Sequence, residues 1–159
     1  MKGLSGPFPG GPAVMKLISA NILPPLTATV SGEVTASIAG SPLGAARFAG
    51  RVQKCWFTVG ASGKDDTNPL QIRGELYING VTCLSTRPLI SHVSGEASQH
   101  KTTRLTGDTG VTQAVIDGDA NTFSAGDIFT YDFDLVRTAS PTTEISNIVL
   151  CAELEPEIG

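Results

Sequence analysis

The stretch DIFTYDFDLVR, residues 127–137, decides the fold. Phe129, Tyr131, Phe133 and Leu135 fall on one side of an extended chain, and Thr130, Asp132 and Asp134 on the other. Side chains alternate along a strand, so a period of two buries one face and wets the other. An antiparallel sheet with one face in a core carries that pattern. Tyr131 is then a core residue, and Asp132 and Asp134 are solvated acids on the outer face.

The same theme extends in both directions. Strands are expected over 26–38, 46–59, 70–78, 81–86, 111–116, 127–137 and 144–154. Leu70, Ile72, Leu76 and Ile78 share a face, opposite Gln71, Arg73, Glu75 and Tyr77. Asn79-Gly80 then separates this run from Val81-Thr82. Such a pair marks a hairpin, because both turn residues need positive φ. Ile148, Leu150, Ala152 and Leu154 form the inner face of the last strand. Phe48, Trp56 and Phe57 place the 46–59 strand against neighbours on more than one side. No stretch combines a helical period with caps. Residues 91–110, SHVSGEASQHKTTRLTGDTG, are the longest polar segment. A loop of that length is functional or mobile, or it hides a short irregular strand. Several strands with Gly- and Pro-rich turns imply an all-β, antiparallel, jelly-roll-like β-sandwich over residues 26–159. The length suits one domain with a core of its own.

Residues 1–25 are a different material. MKGLSGPFPGGPAV is rich in Gly and Pro, which disfavours a helix or a central strand. The segment is either a disordered tail or an extended arm that orders against a partner. As an arm, its candidate contacts are Leu4, Phe8, Pro9, Pro12 and Val14. Prolines lower the entropy lost on docking, and Phe8 between Pro7 and Pro9 suits an anchor. The run from Met15, MKLISANILPPLTATVSG, is not read as a signal peptide. Asn21, Pro24 and Pro25 interrupt its apolar stretch, and no charged leader precedes it. Met15 is also a candidate internal start.

Charged residues are 16% of the chain, below the usual quarter or so, which leaves a neutral surface rich in Ser, Thr and Gly. With a net charge of −4 the chain gains little from phosphates, so no nucleic-acid partner is expected. No apolar run reaches the length of a membrane span, so no membrane association is expected. Cys55, Cys83 and Cys151 are odd in number and form no CxxC pair. They read as buried free thiols, consistent with folding in a reducing cytoplasm.

Reactive chemistry is sparse. Asp117, Asp119 and Asn121 resemble the opening of a calcium loop, but Thr122 and Ile128 stand where that loop needs Gly and Glu. A turn held by Asp and Asn side chains is the simpler reading, and no metal or cofactor is expected. Asp65-Asp66 likewise reads as a turn. His92 and His100 both lie in the polar segment and read as exposed loop residues. No GxSxG is present, and Ser91 beside His92 points to the opposite face of a strand. Asp132 and Asp134 share a face, but solvated acids explain them better than a glycosidase pair. Lys54 is weak support for a reactive thiolate at Cys55. No catalytic residue is assigned. For glycan binding only Tyr77 and Trp56 remain as aromatic contacts.

From Gly50 to Leu154 the order of pieces resembles a known family. GELYINGVTCLSTRPLI and FSAGDIFTYDFDL carry the likeness. Both are similar to small β-sandwich proteins of tailed phages, namely capsid decoration (cement) proteins and head-fibre or fibre-tip domains. The resemblance implies a non-enzymatic virion protein on the capsid exterior, assembled in the host cytoplasm. It implies a homotrimer bound to the major capsid protein. The alternative it leaves open is a head- or tail-fibre adhesion domain binding host glycan. The shared motifs are structural, and no catalytic residues come with them.

Overall fold

The computed structural model describes residues 24–158. They build an all-β antiparallel sandwich. One sheet has β1 (Leu26–Glu33) at its edge, then β13 (Thr143–Pro156), then β3 (Gly50–Lys64). The far edge of β3 receives β8 (Lys101–Thr102) and β11 (Thr122–Phe123). The facing sheet starts at β2 (Ile38–Ala45) and continues through β12 (Ile128–Val136) and β4 (Gln71–Ile78). It ends with β7 (Leu89–Ser91) and β9 (Val111–Thr112), while β5 (Val81–Thr82) also pairs β4. β6 (Leu84–Thr86) and β10 (Val115–Ile116) make a separate ribbon.

The alternation in β12 sets the core. Phe129, Tyr131 and Phe133 are buried, and Leu135 is half-buried. They meet Phe57 of β3 and Ile148 and Leu150 of β13 across the sandwich. Phe57 and Phe133 pack edge to face with centroids 5.3 Å apart. Gly74 makes room for them: a Cβ there would stand 3.2 Å from Phe57 and 3.3 Å from Phe133. The hairpin forms where Asn79-Gly80 predicts it, with φ of 50° and 79° and Ile78 opposite Val81.

Several boundaries differ from the sequence expectation. The strand expected over 26–38 stops at Glu33, after Gly32 adopts φ 83°. The chain then crosses to the other sheet and forms β2, a strand with no alternating signature. The strand expected over 46–59 runs instead from Gly50 to Lys64, because β13 pairs it throughout. The expected 81–86 strand divides at Cys83 and the expected 111–116 strand divides into β9 and β10; β8 is a short strand within the 91–110 segment, and β7 and β11 have no counterpart among the expected strands. Each of these is a short strand placed by its partner rather than by its own pattern.

Candidate interaction surfaces

The two flanks of the sandwich differ. On one flank, residues 91–110 form a strap from β7 of one sheet to β8 of the other and back to β9. Thr103 N–H donates to Phe57 O at 2.9 Å, and Phe57 N–H donates to Thr103 Oγ1 at 2.9 Å. Ser62 N–H donates to Gln99 O. Arg104 lies over the Trp56 ring, 4.9 Å from its centroid. Lys101 is fully buried, and its Nζ donates to Glu96 Oε2 at 2.7 Å, Thr109 O at 2.7 Å and Ser91 O at 3.1 Å. Three acceptors satisfy all three of its N–H groups, which is the condition for burying an ammonium. The Lys101 hydrogen bond holds the Glu96 carboxyl below its ordinary range.

His92 is corrected here. It is buried rather than exposed, with Nε2 3.0 Å from Asp66 Oδ1. Asp66 also accepts from Gly95 N–H at 2.8 Å, and this amide, then His92, lowers its pKa. His100 is exposed. Neither histidine touches a serine or cysteine side chain in an arrangement for nucleophilic attack.

Among the described residues the other flank is open. It is bounded by the edge strands β1 and β2. Their inward-facing Leu26, Ala28, Val30, Ile38 and Leu43 pack on the core but remain only half-buried. Inward residues of the inner strands, such as Ile148, Leu150 and Phe133, are fully buried. At the end of the sandwich where β1 begins lies a cleft of about 520 Å³. Gly50, Arg51, Phe123, Glu155 and Ile158 are among its lining residues. Arg51 Nε and Glu155 Oε2 are 2.6 Å apart across it. A Cβ on Gly50 would come within 2.2 Å of Glu155 O, so only glycine fits that close strand approach.

The outer face of the β4 sheet carries a charge cluster that sequence reading missed. Arg87 Nε stands 3.0 Å from Glu75 Oε2 as an ion pair without hydrogen-bond alignment, and its Nη2 contacts Asp134. Glu75, expected on a wet face, is buried beneath Arg87 and accepts from Thr82 Oγ1 at 2.6 Å. Asp132 is not a free surface acid either. It accepts from Gly40 N–H at 2.6 Å and from the Tyr77 hydroxyl at 2.8 Å. Burial, then the Asp132 hydrogen bond, pushes the Tyr77 phenol up to about 12.

The remaining candidates fall as follows. Tyr77 is half-buried on the outer face of the β4 sheet, and Trp56 is buried in the opposite sheet beneath Arg104. The fold does not bring them into one groove. Asp117 Oδ1 accepts from Asp119 N–H within the turn, and Asn121 Nδ2 donates to Val52 O and ties the turn to β3. Among the described residues no three His, Cys, Asp or Glu side chains converge as metal ligands. Asp65 is buried, which alone would raise its pKa, but donors from Thr138, Asn68 and Thr67 hold it well below the carboxylate range. Cys55 and Cys83 are buried free thiols, whereas Cys151 is only half-buried, a correction to the expectation. Burial raises all three, Cys83 to about 12, which suppresses thiolate chemistry. Lys54 pairs with Glu153 at 3.9 Å instead of activating Cys55. Leu4, Phe8, Pro9, Pro12 and Val14 lie outside the described residues.

The two motifs that carry the family resemblance meet in space. Asn79 Nδ2 donates to Asp127 Oδ1 at 2.9 Å, and Ile128 N–H donates to Asn79 Oδ1 at 2.9 Å. Asp127 also caps its own turn by accepting from Ser124 N–H at 2.7 Å. The Ser124 amide, then Asn79, lowers its pKa. The Asn-Gly hairpin and the Ala-Gly-Asp turn are thus one clamp that starts β12. No family profile, no curated protein and no solved structure matches the chain.

Proposed function

We propose that the protein is a non-enzymatic structural component of a phage virion that binds an assembled capsid shell and stabilises it as a decoration protein. The observation that carries the reading is the open flank. A sandwich sealed on one side and left with half-buried apolar edges on the other is suited to neighbouring protein subunits. Low charge lets copies pack closely without repulsion. The resemblance of GELYINGVTCLSTRPLI and FSAGDIFTYDFDL to phage decoration proteins supplies the kind of neighbour.

The mechanism is non-covalent cementing. A protein that binds across adjacent subunits only after assembly stabilises the shell by mass action. The partner is the major capsid protein, and a homotrimer matches a threefold or quasi-threefold position. Residues 1–25, through Leu4, Phe8, Pro9, Pro12 and Val14, extend over the shell or a neighbouring protomer.

The test is quantitative mass spectrometry on particles purified by density gradient from the source culture. A copy number close to that of the major shell protein is expected. A few copies per particle would replace this reading with a head- or tail-fibre adhesion domain. Absence from particles would remove both.

A further inference from the structure

We propose that residues 13–23 of one copy add as a strand to the free edge of β1 in a second copy. This goes beyond the capsid reading and does not rest on it.

The receiving edge is β1. From Leu26 to Val30 it pairs β13 in regular register, and among the described residues its other edge has no partner. Alternate N–H and C=O groups of a strand point to each side, so this edge presents a template for another strand. Nothing in the segment guards it. Leu26–Gly32 contains no charge and no proline. The neighbouring edge strand β2 is guarded in three ways. It has Pro42, left-handed glycines at Gly40 (φ 61°) and Gly44 (φ 144°), and two breaks in its register with β12. Edge strands left to solvent usually carry such devices, and β1 carries none before Gly32 and the irregularity beyond Val30. A strand added beside β1 would also cover the half-buried row Leu26, Ala28 and Val30.

The donor lies directly before β1. AVMKLISANIL, Ala13–Leu23, is eleven residues without glycine or proline, between the Gly/Pro-rich start and Pro24-Pro25. In extended form Val14, Ile18, Ala20 and Ile22 share one face with Lys16. At about 3.3 Å per residue the segment is longer than the regular part of β1.

The prolines direct it to another copy. A tight hairpin folding residues 22–23 back onto Leu26–Thr27 needs positive φ at its first central residue. Pro24 stands at that position, with φ held near −65°. Pro25 also keeps Pro24 out of the right-handed helical region. The two-residue hairpin that would return this segment to its own β1 edge is therefore closed by Pro24-Pro25, which favours an edge on a second copy. Each copy donates one strand and receives one, as in a domain-swapped oligomer.

The experiment uses the full chain and the Ile18→Pro variant, which breaks the proposed donor strand. Light scattering gives the mass, and amide exchange reads Thr27–Val30. The expected result is an oligomer with protected β1 amides. In Ile18→Pro it becomes a monomer whose β1 amides on the free edge exchange at least about tenfold faster, with unchanged Trp56 fluorescence. Ala20→Pro, made alongside, is expected to behave alike. An oligomer unaffected by both prolines would overturn the proposal, as would a monomeric full chain with unprotected β1 amides. A monomer whose β1 protection is lost in Ile18→Pro would show pairing within one chain and would overturn the exchange between copies.

Discussion

The two flanks of this sandwich treat the same problem in opposite ways. Where β3 and β7 would leave edges, the 91–110 strap supplies β8, leads into β9 and buries Lys101 against Glu96 and two carbonyls. Where β1 and β2 form edges, nothing among the described residues covers them, and their inward side chains stay half-buried. The sealed flank depends on a polar network with defined partners. The open flank depends on apolar contact that a single chain leaves incomplete. A flank closed from within contributes to the stability of the monomer, whereas one left open keeps part of its apolar area for a neighbour.

The largest expected effect breaks the sealed side. Lys101→Met removes the ammonium shared by Glu96 and the Ser91 and Thr109 carbonyls, and should cost roughly 3–5 kcal/mol. Urea unfolding measures it. A loss under 1 kcal/mol or so would mean that the strap holds without its buried ammonium.

A second test compares strands directly. Leu150→Ala in fully buried β13 should cost about 2–5 kcal/mol, and Leu26→Ala on β1 nearer 1 kcal/mol in a monomer. Equal costs for the two would show that the open flank is covered in solution. The same pair repeated across protein concentrations then separates self-association from a monomeric contact.

Acid gives the mildest perturbation. Asp66, lowered first by the Gly95 amide, and Glu96, lowered first by Lys101, both tie down the strap. Their folded pKa values lie below the unfolded ones, near 4. Their stabilisation is therefore complete above that range and is lost as pH falls through it. Thermal unfolding midpoints should stay level from about pH 7 to 5 and drop below about pH 4. Amide exchange at residues 94–104 should rise before that of β12. Simultaneous opening of both would remove the strap as a separate acid-sensitive unit.

The legible parts of the fold were those with a local pattern. Phe129, Tyr131 and Phe133 alternate in the sequence and are buried in the structure. Asn79-Gly80 marks a turn because positive φ at both positions favours such residues, and the structure has φ of 50° and 79° there. β2 carries no such pattern, since Gly40, Pro42 and Gly44 remove the very alternation that marks a strand. Its existence depends on β12 lying beside it. Lys101 resembles any lysine of a polar loop, and its burial follows from three acceptors that arrive from positions 91, 96 and 109. Glu75 sits on the outer face as its alternation predicts, yet Arg87 and Thr82 bury it. Of the candidate contacts, Trp56 and Tyr77 were visible as residues, but their placement on opposite sheets was not.

By itself the sequence determined the class of fold, the faces of β4, β12 and β13, the hairpin and the scarcity of reactive groups. These follow from period, turn chemistry and composition, which act over a few neighbouring residues. Only the tertiary structure decided that one flank closes over a buried lysine while, among the described residues, the other stays open along β1. Burial there is a property of which distant strands become neighbours, and no local period encodes it.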